Sequence, residues 1–599
     1  MDHKDITYNP LQTETIKYQT TDCNLVIAAP TSSGKTIVAE QFIYQAIMDG
    51  KRALYLSPLK ALTNEKLIAW ENIGIPIVAI TSDHMNKPRP ITEKLILMTT
   101  EALDSRSRGA KSWLQDVGVI VCDEAHLLGV PKRGDAFEIG LTRFSSINPS
   151  ARIVFLSATM PNVHELKEWL TSLNGKETIV VETDWRPITQ EHFLVKTPDQ
   201  EWKFSGMVNA TITKLISENP SSQILIFVHS IYKGHQLSKQ FNIPFHYSKV
   251  SKEARHEIEE AFRNKVIKIM VSTSTLAWGV NLPADIGIIV GGHRGPMMVD
   301  AWDIKQMAGR IGRYGLATSG RIYYIFKDFY ANSLWKDLHD LPPIESQLKQ
   351  RLYFHIVSFI AREGMQYDSM VEFIQRTLCY KQTKLSLDEA LEMLMQYEIV
   401  YKDGQGLLRV SSIGRAAALM YVDPMDLYYL SRALRGKPLS SELIAKAFAD
   451  IPSNEFETYV PDDLHHPITM QFGAQTVFAS ALYEWLEGMD LSPTATSIVP
   501  PFVADIERLI SALSICGIDK PYLNDLHLHI VNGVQRNLLE LVSLKGIGRK
   551  YALALSKQNI FTKQDILDKK QVAYNVLGKA LLQKVIDQIE NVGKIILRY

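Results

Sequence analysis

Short runs of uninterrupted apolar residues, occurring in two successive series, set the first limit on what this chain can fold into. Asn24-Leu-Val-Ile-Ala28, Ala53-Leu-Tyr-Leu-Ser57, Leu95-Ile-Leu-Met98, Val117-Gly-Val-Ile-Val-Cys122 and Arg152-Ile-Val-Phe-Leu156 alternate with helical patterns as far as about Val181. Hydrophobicity that is continuous rather than alternating marks strands buried on both faces, and therefore a parallel sheet covered by helices. The pattern restarts at Gln223-Ile-Leu-Ile-Phe-Val228 and continues through Lys268-Ile-Met-Val271, Ile286-Gly-Ile-Ile-Val290 and Arg321-Ile-Tyr-Tyr-Ile-Phe326. Two α/β lobes in tandem are predicted, joined near Trp185-Arg186-Pro187. Beyond about Leu341 the strand runs nearly vanish. A helical stretch from Ser386 to Tyr397 leads into Ile399-Val-Tyr-Lys-Asp-Gly-Gln-Gly-Leu-Leu-Arg-Val410, a β-hairpin turning at Asp403-Gly404. Helices followed by such a hairpin suggest a winged helix, and helical segments fill Ser411 to about Gln535.

A chain of 599 residues is too long for one core and calls for roughly three to five domains. Lys+Arg and Asp+Glu are both 65, so the total charge gives no hint of a nucleic-acid partner. The balance is uneven, however: Arg536 to Tyr599 carries twelve Lys/Arg against five Asp/Glu, a local +7. The four cysteines (Cys23, Cys122, Cys379, Cys516) form no C-x-x-C pair, which argues against a disulfide framework or zinc site and suits a reducing cytoplasm. The N-terminus lacks the regions of a signal peptide, and no apolar run approaches the ~20 residues that cross a bilayer. A cytoplasmic chain without a membrane partner is expected.

The first strand ends in Ala29-Pro30-Thr31-Ser32-Ser33-Gly34-Lys35-Thr36, and a helix follows. Backbone N–H groups of such a loop wrap phosphate oxygens, and the helix N-terminus favours negative charge. Lys35 would reach the β/γ-phosphates of ATP and the Thr36 hydroxyl would hold Mg²⁺, although Ala29 stands where the general pattern has Gly. The run Val117 to Cys122 ends in Asp123-Glu124-Ala125-His126, about ninety residues downstream. There Asp123 would bind the ion and Glu124 would orient and deprotonate the attacking water. In Gln306-Met-Ala-Gly-Arg310-Ile-Gly-Arg313 two arginines three apart can share one helix face. Positive charge at a γ-phosphate, delivered from a second lobe, links hydrolysis to lobe closure.

The order of these motifs resembles that of superfamily 2 helicases. Asn9-Pro10-Leu11-Gln12 is similar to the adenine-reading Q motif, Ser57-Pro58-Leu59-Lys60 to motif Ia and Thr99-Thr100-Glu101 to motif Ib. Ser157-Ala158-Thr159 matches motif III, which couples hydrolysis to strand movement through Ser157 and Thr159. Phe227-Val-His-Ser230 resembles motif IV, Thr273-Ser-Thr275-Leu-Ala-Trp-Gly279-Val-Asn281-Leu-Pro283 motif V, and Gln306 to Arg313 motif VI. Within the superfamily the chain resembles the Ski2-like group, particularly HelQ/Hjm-type repair helicases, on Arg133-Gly134, Trp185-Arg186-Pro187 and the motif V sequence.

That resemblance implies an α/β fold of two tandem RecA-like lobes (1–188, ATP-binding, and 189–340), a winged helix (341–415), a helical ratchet bundle (416–535) and a helix–hairpin–helix (536–599). It implies Gly279 and Asn281 at the nucleotide, and Pro58, Thr100, Ser230 and Thr275 on the strand, joined by Arg508 on the ratchet helix. Leu541 to Ala552 looks like the helix–hairpin–helix: its Gly546-Ile547-Gly548 turn exposes backbone N–H groups to phosphate, with Lys545, Arg549 and Lys550 around it. The implied activity is ATP- and Mg²⁺-dependent 3′→5′ movement of a monomer on single-stranded or forked DNA in repair, recombination or fork processing. An RNA helicase of the same group, or a translocase with little unwinding, remains as an alternative. Three departures from the family bear on this. Ile515 stands where a strand-stacking Trp is usual, Ala284 to Lys305 leaves room only for a stubby strand-parting pin at Gly291 to Pro296, and Ser230-Ile231-Tyr232 lacks the family's Arg.

Overall fold

The computed structural model describes residues 8–57, 60–71, 74–81, 91–109, 112–158, 160–276, 282, 284–294, 297–312, 319–453, 463–465, 468–471 and 473–596. Its contacts divide it into two compact units, residues 1–350 with 372–385 and residues 351–371 with 386–599.

The first unit holds two RecA-like lobes in tandem. Seven strands form the first sheet: β1 Asn24–Ala28, β2 Arg52–Ser57, β3 Ile77–Ile80, β4 Leu95–Thr99, β5 Val117–Asp123, β6 Arg152–Ser157 and β7 Thr178–Glu182. All pairs are parallel, in the order β3-β4-β2-β5-β6-β1-β7. The two edge strands, β3 and β7, lie outside the apolar runs picked out from the sequence. β7 is only part-buried, so burial did not demand a continuous apolar run there. Because every strand points the same way, the loops after β1, β5 and β6 open side by side on one rim, where α/β sheets place their ligands.

The second sheet contains β8 Gln190–Thr197, β9 Ile224–Val228, β10 Phe245–His246, β11 Ile269–Ser272, β12 Ile286–Val290 and β15 Gly320–Lys327. They are again all parallel, in the order β10-β11-β9-β12-β15-β8. Between β12 and the next helix the chain makes a small antiparallel hairpin, β13 His293–Arg294 with β14 Met297–Met298. Strand β8 is mostly exposed in alternate stretches, which hid it from a search for buried runs.

The helix Leu378–Thr383 belongs to this first unit, although the sequence placed it in a winged helix spanning 341–415. Its first turn is held by the fully buried Glu138, whose Oε1 accepts from Cys379 N at 2.7 Å while Oε2 accepts from Ser346 Oγ at 2.5 Å. Burial pushes that carboxyl up to about 7, and Trp169 Nε1 donates to Arg376 O at 3.0 Å nearby.

In the second unit the expected hairpin is present as β16 Val400–Lys402 paired antiparallel with β17 Leu408–Val410. Met365 adds a bridge to Leu408. Helices Ser412–Met420, Pro424–Leu434, Ser441–Ala449, Gly473–Leu486, Pro493–Ile515 and Lys520–Asn532 share one apolar core. The segment from Val534 to Ile589 builds a core of its own. Among the described residues no helix is long and apolar enough to cross a membrane.

Helix Gly134–Ile147 starts where the backbone passes against Leu128: a Cβ at Gly134 would sit 1.9 Å from the Leu128 carbonyl oxygen. Gly134→Ala is therefore expected to destabilise the protein by about 1–3 kcal/mol or more, read as a lower denaturation midpoint. Gly206, in the exposed interior of helix Glu201–Glu218, has nothing within 4 Å of its would-be Cβ. Gly206→Ala is expected to raise stability by roughly 0.5–1 kcal/mol in the same measurement.

Candidate active site

The loop after β1 is braced from the N-terminal side. Asn9 and Gln12 form a reciprocal capping box at helix Pro10–Ile16, and Asn9 Nδ2 reaches on to Ser33 O at 2.8 Å. Gly34 sits at φ +89°, and a Cβ there would lie 2.4 Å from Gln12 Nε2. Only glycine meets both the left-handed backbone and that close approach. Lys35 Nζ donates to the carbonyls of Ala29 (2.7 Å) and Pro30 (3.0 Å), which holds the ammonium over its own loop. Ser33 is fully buried, whereas Thr31 and Ser32 are part-exposed.

Asp123, at the end of β5, accepts from Tyr55 OH at 2.5 Å through Oδ2 and from Glu124 N at 3.1 Å through Oδ1. Burial, followed by the Glu124 charge, raises its pKa, while Lys66 and Lys35 oppose the rise. Lys66 Nζ also donates to Thr36 Oγ1 at 2.9 Å. Thr36 and Asp123 thus offer oxygen donors only, the ligand chemistry a hard divalent cation requires. Glu124 itself occupies the left-handed region at φ +51°, an unfavourable conformation for a residue other than glycine. The turn this makes starts the short 3₁₀ segment Ala125–Gly129.

The second lobe reaches the same rim. Gln306, in helix Ala301–Ala308, donates from Nε2 to Glu124 Oε2 at 3.3 Å and towards His126 Nε2 at 3.4 Å. An amide nitrogen can only donate, so His126 Nε2 accepts and the ring proton lies on Nδ1, 2.9 Å from Ser157 Oγ. Burial holds the imidazole down at about 4, so its 3.4 Å approach to Glu124 Oε2 is a neutral contact. Trp302 stacks on that ring, with centroids 5.0 Å apart and planes 7° from parallel. Arg310 is buried; desolvation lowers its pKa against the opposing charges of Glu124 and Glu65. Gly309 comes so close to the phosphate loop that a Cβ would meet Thr31 Oγ1 at 2.7 Å.

Of the residues assigned to the nucleotide from sequence, Gln12, Ala29 to Thr36, Asp123, Glu124, Gln306 and Arg310 are gathered here with Ser157. Gly279, Asn281, Arg313, Thr159 and Pro58 lie outside the described residues, as does the side chain of Thr275. Tyr55, Lys66 and Trp302 were missed. Their roles depend on contacts with residues distant in the chain, and only His126 lay inside a quoted motif.

Among the strand candidates of the first unit, Thr100 is buried at the start of a helix capped by Thr99. Ser230 is exposed and caps helix Ile231–Phe241 by accepting from Lys233 N at 3.1 Å. The foot of the β13–β14 pin is cinched beside it. His229 Nε2 donates to Gly291 O at 3.1 Å, Gly292 N donates to Tyr330 OH at 2.9 Å, and Val299 N donates to Gly292 O at 2.8 Å.

In the second unit the turn Gly546-Ile547-Gly548 is formed, with Gly546 at φ +104°, the backbone of a residue without Cβ. Lys545 is fixed through its backbone, its N–H donating to Gln588 Oε1 and its carbonyl accepting from Gln588 Nε2. Arg549 has a different place from the one expected. Its guanidinium lies 4.3 Å from the Trp485 ring centroid and donates to the carbonyls of Trp485 (2.8 Å), Met489 (2.5 Å) and Gly533. It joins the helix–hairpin–helix to the bundle, with three of its five N–H donors directed to these carbonyls. Arg508 pairs with Asp505 on its own helix and reaches Tyr421 O at 3.5 Å. Ile515, at the end of that helix, packs against the bundle core.

Comparison with known proteins agrees with this geometry. The DEAD/DEAH box helicase model matches residues 9–166 and the helicase conserved C-terminal domain model residues 207–315. The ATP-dependent DNA helicase Hel308 of Methanocella arvoryzae is 26% identical, over 91% of this chain and 88% of that protein. That of Caldivirga maquilingensis is 25% identical, over 89% and 85%. Activating signal cointegrator 1 complex subunit 3 of Gallus gallus is 27% identical over 76% of this chain, which spans only 25% of that larger protein.

Two measurements follow from these side chains. Arg549→Ala strands three carbonyls and is expected to lower stability by about 2–4 kcal/mol, read as a lower denaturation midpoint, whereas Lys545→Ala and Lys550→Ala are expected to leave that midpoint in place. At the pin, His229 Nδ1 is buried without a hydrogen-bond partner and burial holds the ring at about 4, against about 6.5 when unfolded. The unfolded state binds the proton more tightly, so this stability is complete above about 6.5 and is lost as pH falls towards 4. The unfolding free energy of wild type relative to His229→Asn is expected to drop by about 2 kcal/mol between pH 7 and pH 5. A pH-independent difference would contradict it.

Proposed function

Because the chain belongs to the superfamily 2 helicases, in their Ski2-like group, and is an ATP-dependent helicase, we propose that the strand it tracks is single-stranded DNA, followed 3′→5′ by a cytoplasmic monomer acting on forked DNA in repair, recombination or fork processing. The observation that carries this reading is the cross-lobe seat, with Gln306 bonded to Glu124 and Gly309 against Thr31. A site built from both lobes makes hydrolysis and lobe movement one event. The Hel308 relatives, similar along most of their length, support DNA as the polymer.

In this reading Gln12 selects adenine and the loop Ala29 to Thr36 cradles the phosphates, with Lys35 moving from its carbonyl partners to the β/γ-oxygens. Thr36 and Asp123 would hold Mg²⁺, which would supply charge neutralisation at the phosphates. Glu124 orients the water and takes its proton, aided by a carboxylate already fixed by Gln306. Arg310 and Arg313 bring positive charge to the γ-phosphate, and Gly279 and Asn281 complete the nucleotide pocket. Ser157 and Thr159 pass the change onward, Ser157 through its bond to His126. Pro58, Thr100, Ser230 and Thr275 hold the strand across the lobes, with Arg508, Lys545, Gly546, Gly548 and Lys550 holding it in the second unit.

Lys35→Ala and Glu124→Gln are each expected to reduce DNA-stimulated ATP hydrolysis by roughly a thousandfold with the thermal midpoint unchanged. Normal turnover in either purified variant would refute the site. Steady-state hydrolysis with matched single-stranded DNA and RNA, at equal length and salt, decides the polymer: strong stimulation by DNA alone is expected, and equal stimulation by RNA would overturn that choice.

A further inference from the structure

The rim of the second sheet continues past the pin. With all strands parallel in the order β10-β11-β9-β12-β15-β8, the loops follow one another in space: Ser230 after β9, the pin after β12, helix Asp328–His339 after β15 and helix Glu201–Glu218 after β8. The last two helices begin with large exposed aromatics, Phe329 at 66% and Trp202 at 73% exposure. Exposed aromatics scattered singly mean little, but adjoining ones mark a recognition surface.

These two adjoin. Phe329 N donates to Asp199 Oδ1 at 3.1 Å and Lys327 Nζ to Glu201 Oε2 at 2.8 Å, tying the two helix starts together. Beside the Lys327–Glu201 pair lies buried Phe204, with Lys233 and Lys327 over its ring at 5.6 and 5.3 Å. Lys203 lies 5.3 Å from the Trp202 ring centroid. The patch is continuous with the pin, whose His293 ring is 5.7 Å from Phe329 and 4.7 Å from Tyr330. Of the acids present, Asp199 accepts from a backbone N–H and Glu201 pairs with Lys327, while Asp328 beside Phe329 is exposed. The rings of Trp202 and Phe329 remain outward with Lys203 beside Trp202, and exposed rings of this kind stack on unpaired bases irrespective of sequence.

We propose that Phe329 and Trp202 form a stacking shelf for the unpaired bases of the DNA strand displaced at the pin. The proposal rests on the DNA-helicase reading. A pin of two residue pairs carries little of a split duplex by itself, and a shelf directly beyond it holds the displaced bases away from their partners. Aromatic rings also anchor protein partners, but this patch begins at the pin and carries lysines, which favours a nucleic-acid occupant.

The test compares a duplex bearing only a 3′ single-stranded tail with the same duplex carrying an added unpaired 5′ arm. Wild type is expected to bind the forked form roughly tenfold more tightly. Trp202→Ala/Phe329→Ala is expected to bind both forms equally, with unchanged affinity for the tailed duplex, and Trp202→Tyr/Phe329→Tyr to keep the preference. 5-Iodouracil in the 5′ arm is expected to cross-link to the peptides carrying Trp202 or Phe329. A wild type indifferent to the arm, a double alanine variant that keeps the preference, or cross-links elsewhere would each overturn the shelf. Hydrolysis stimulated by single-stranded DNA reports separately on the underlying reading: if it persists while the preference is absent, only the shelf fails.

Discussion

The close approach of Gly309 to Thr31 is the contact on which the rest of the site depends. A side chain at position 309 would press on the phosphate loop and hold the second lobe away, and Gln306 would then not reach Glu124. Each cross-lobe relation follows from that seat: the Gln306 bond, the buried Arg310 facing Glu124 and Glu65, and the Trp302–His126 stack. Buried charge tolerates such a position only when opposite charge faces it. Here the facing charge is the carboxylate assigned to the attacking water.

The site also shows how one polar network can serve stability and chemistry together. His126 is neutral because it is buried, and being neutral it can accept from Gln306 and donate to Ser157 at once. A charged ring would have no acceptor nitrogen and the link between motif VI and motif III would be cut. Glu124 holds a left-handed backbone that costs roughly 1–2 kcal/mol, offset by the fixed turn into Ala125–Gly129. Strain of that kind persists where the surrounding packing over-determines it.

The pin and the rim beyond it follow a related logic in the second sheet. Its parallel strands put the loops that leave their C-terminal ends on one rim, so the pin, the Ser230 cap and the Phe329 and Trp202 helix starts share that rim although they come from four separate stretches of chain. The foot of the pin is held by His229, which follows β9, and Tyr330, in the helix after β15.

The sequence by itself determined the two tandem α/β lobes, the loop–helix of Gly34 to Thr36, the acidic end of β5 and the Gln306 segment, because continuous apolar runs and short local motifs need no partner to be recognised. It also determined the hairpin at Asp403-Gly404, where turn chemistry is local. Only the tertiary structure decided the rest. Edge strands β7 and β8 are only partly buried, so their composition carries a weak signal, while β3 is mostly buried but only four residues long. Helix Leu378–Thr383 joined the first unit because buried Glu138 holds its first turn, a relation across 241 residues. Arg549, basic and next to a Gly-Ile-Gly turn, read as a phosphate ligand until three carbonyls and the Trp485 ring were found around it. Charge and spacing show what a side chain is able to contact, while the partner it contacts is set by which distant backbone groups the fold leaves within its reach.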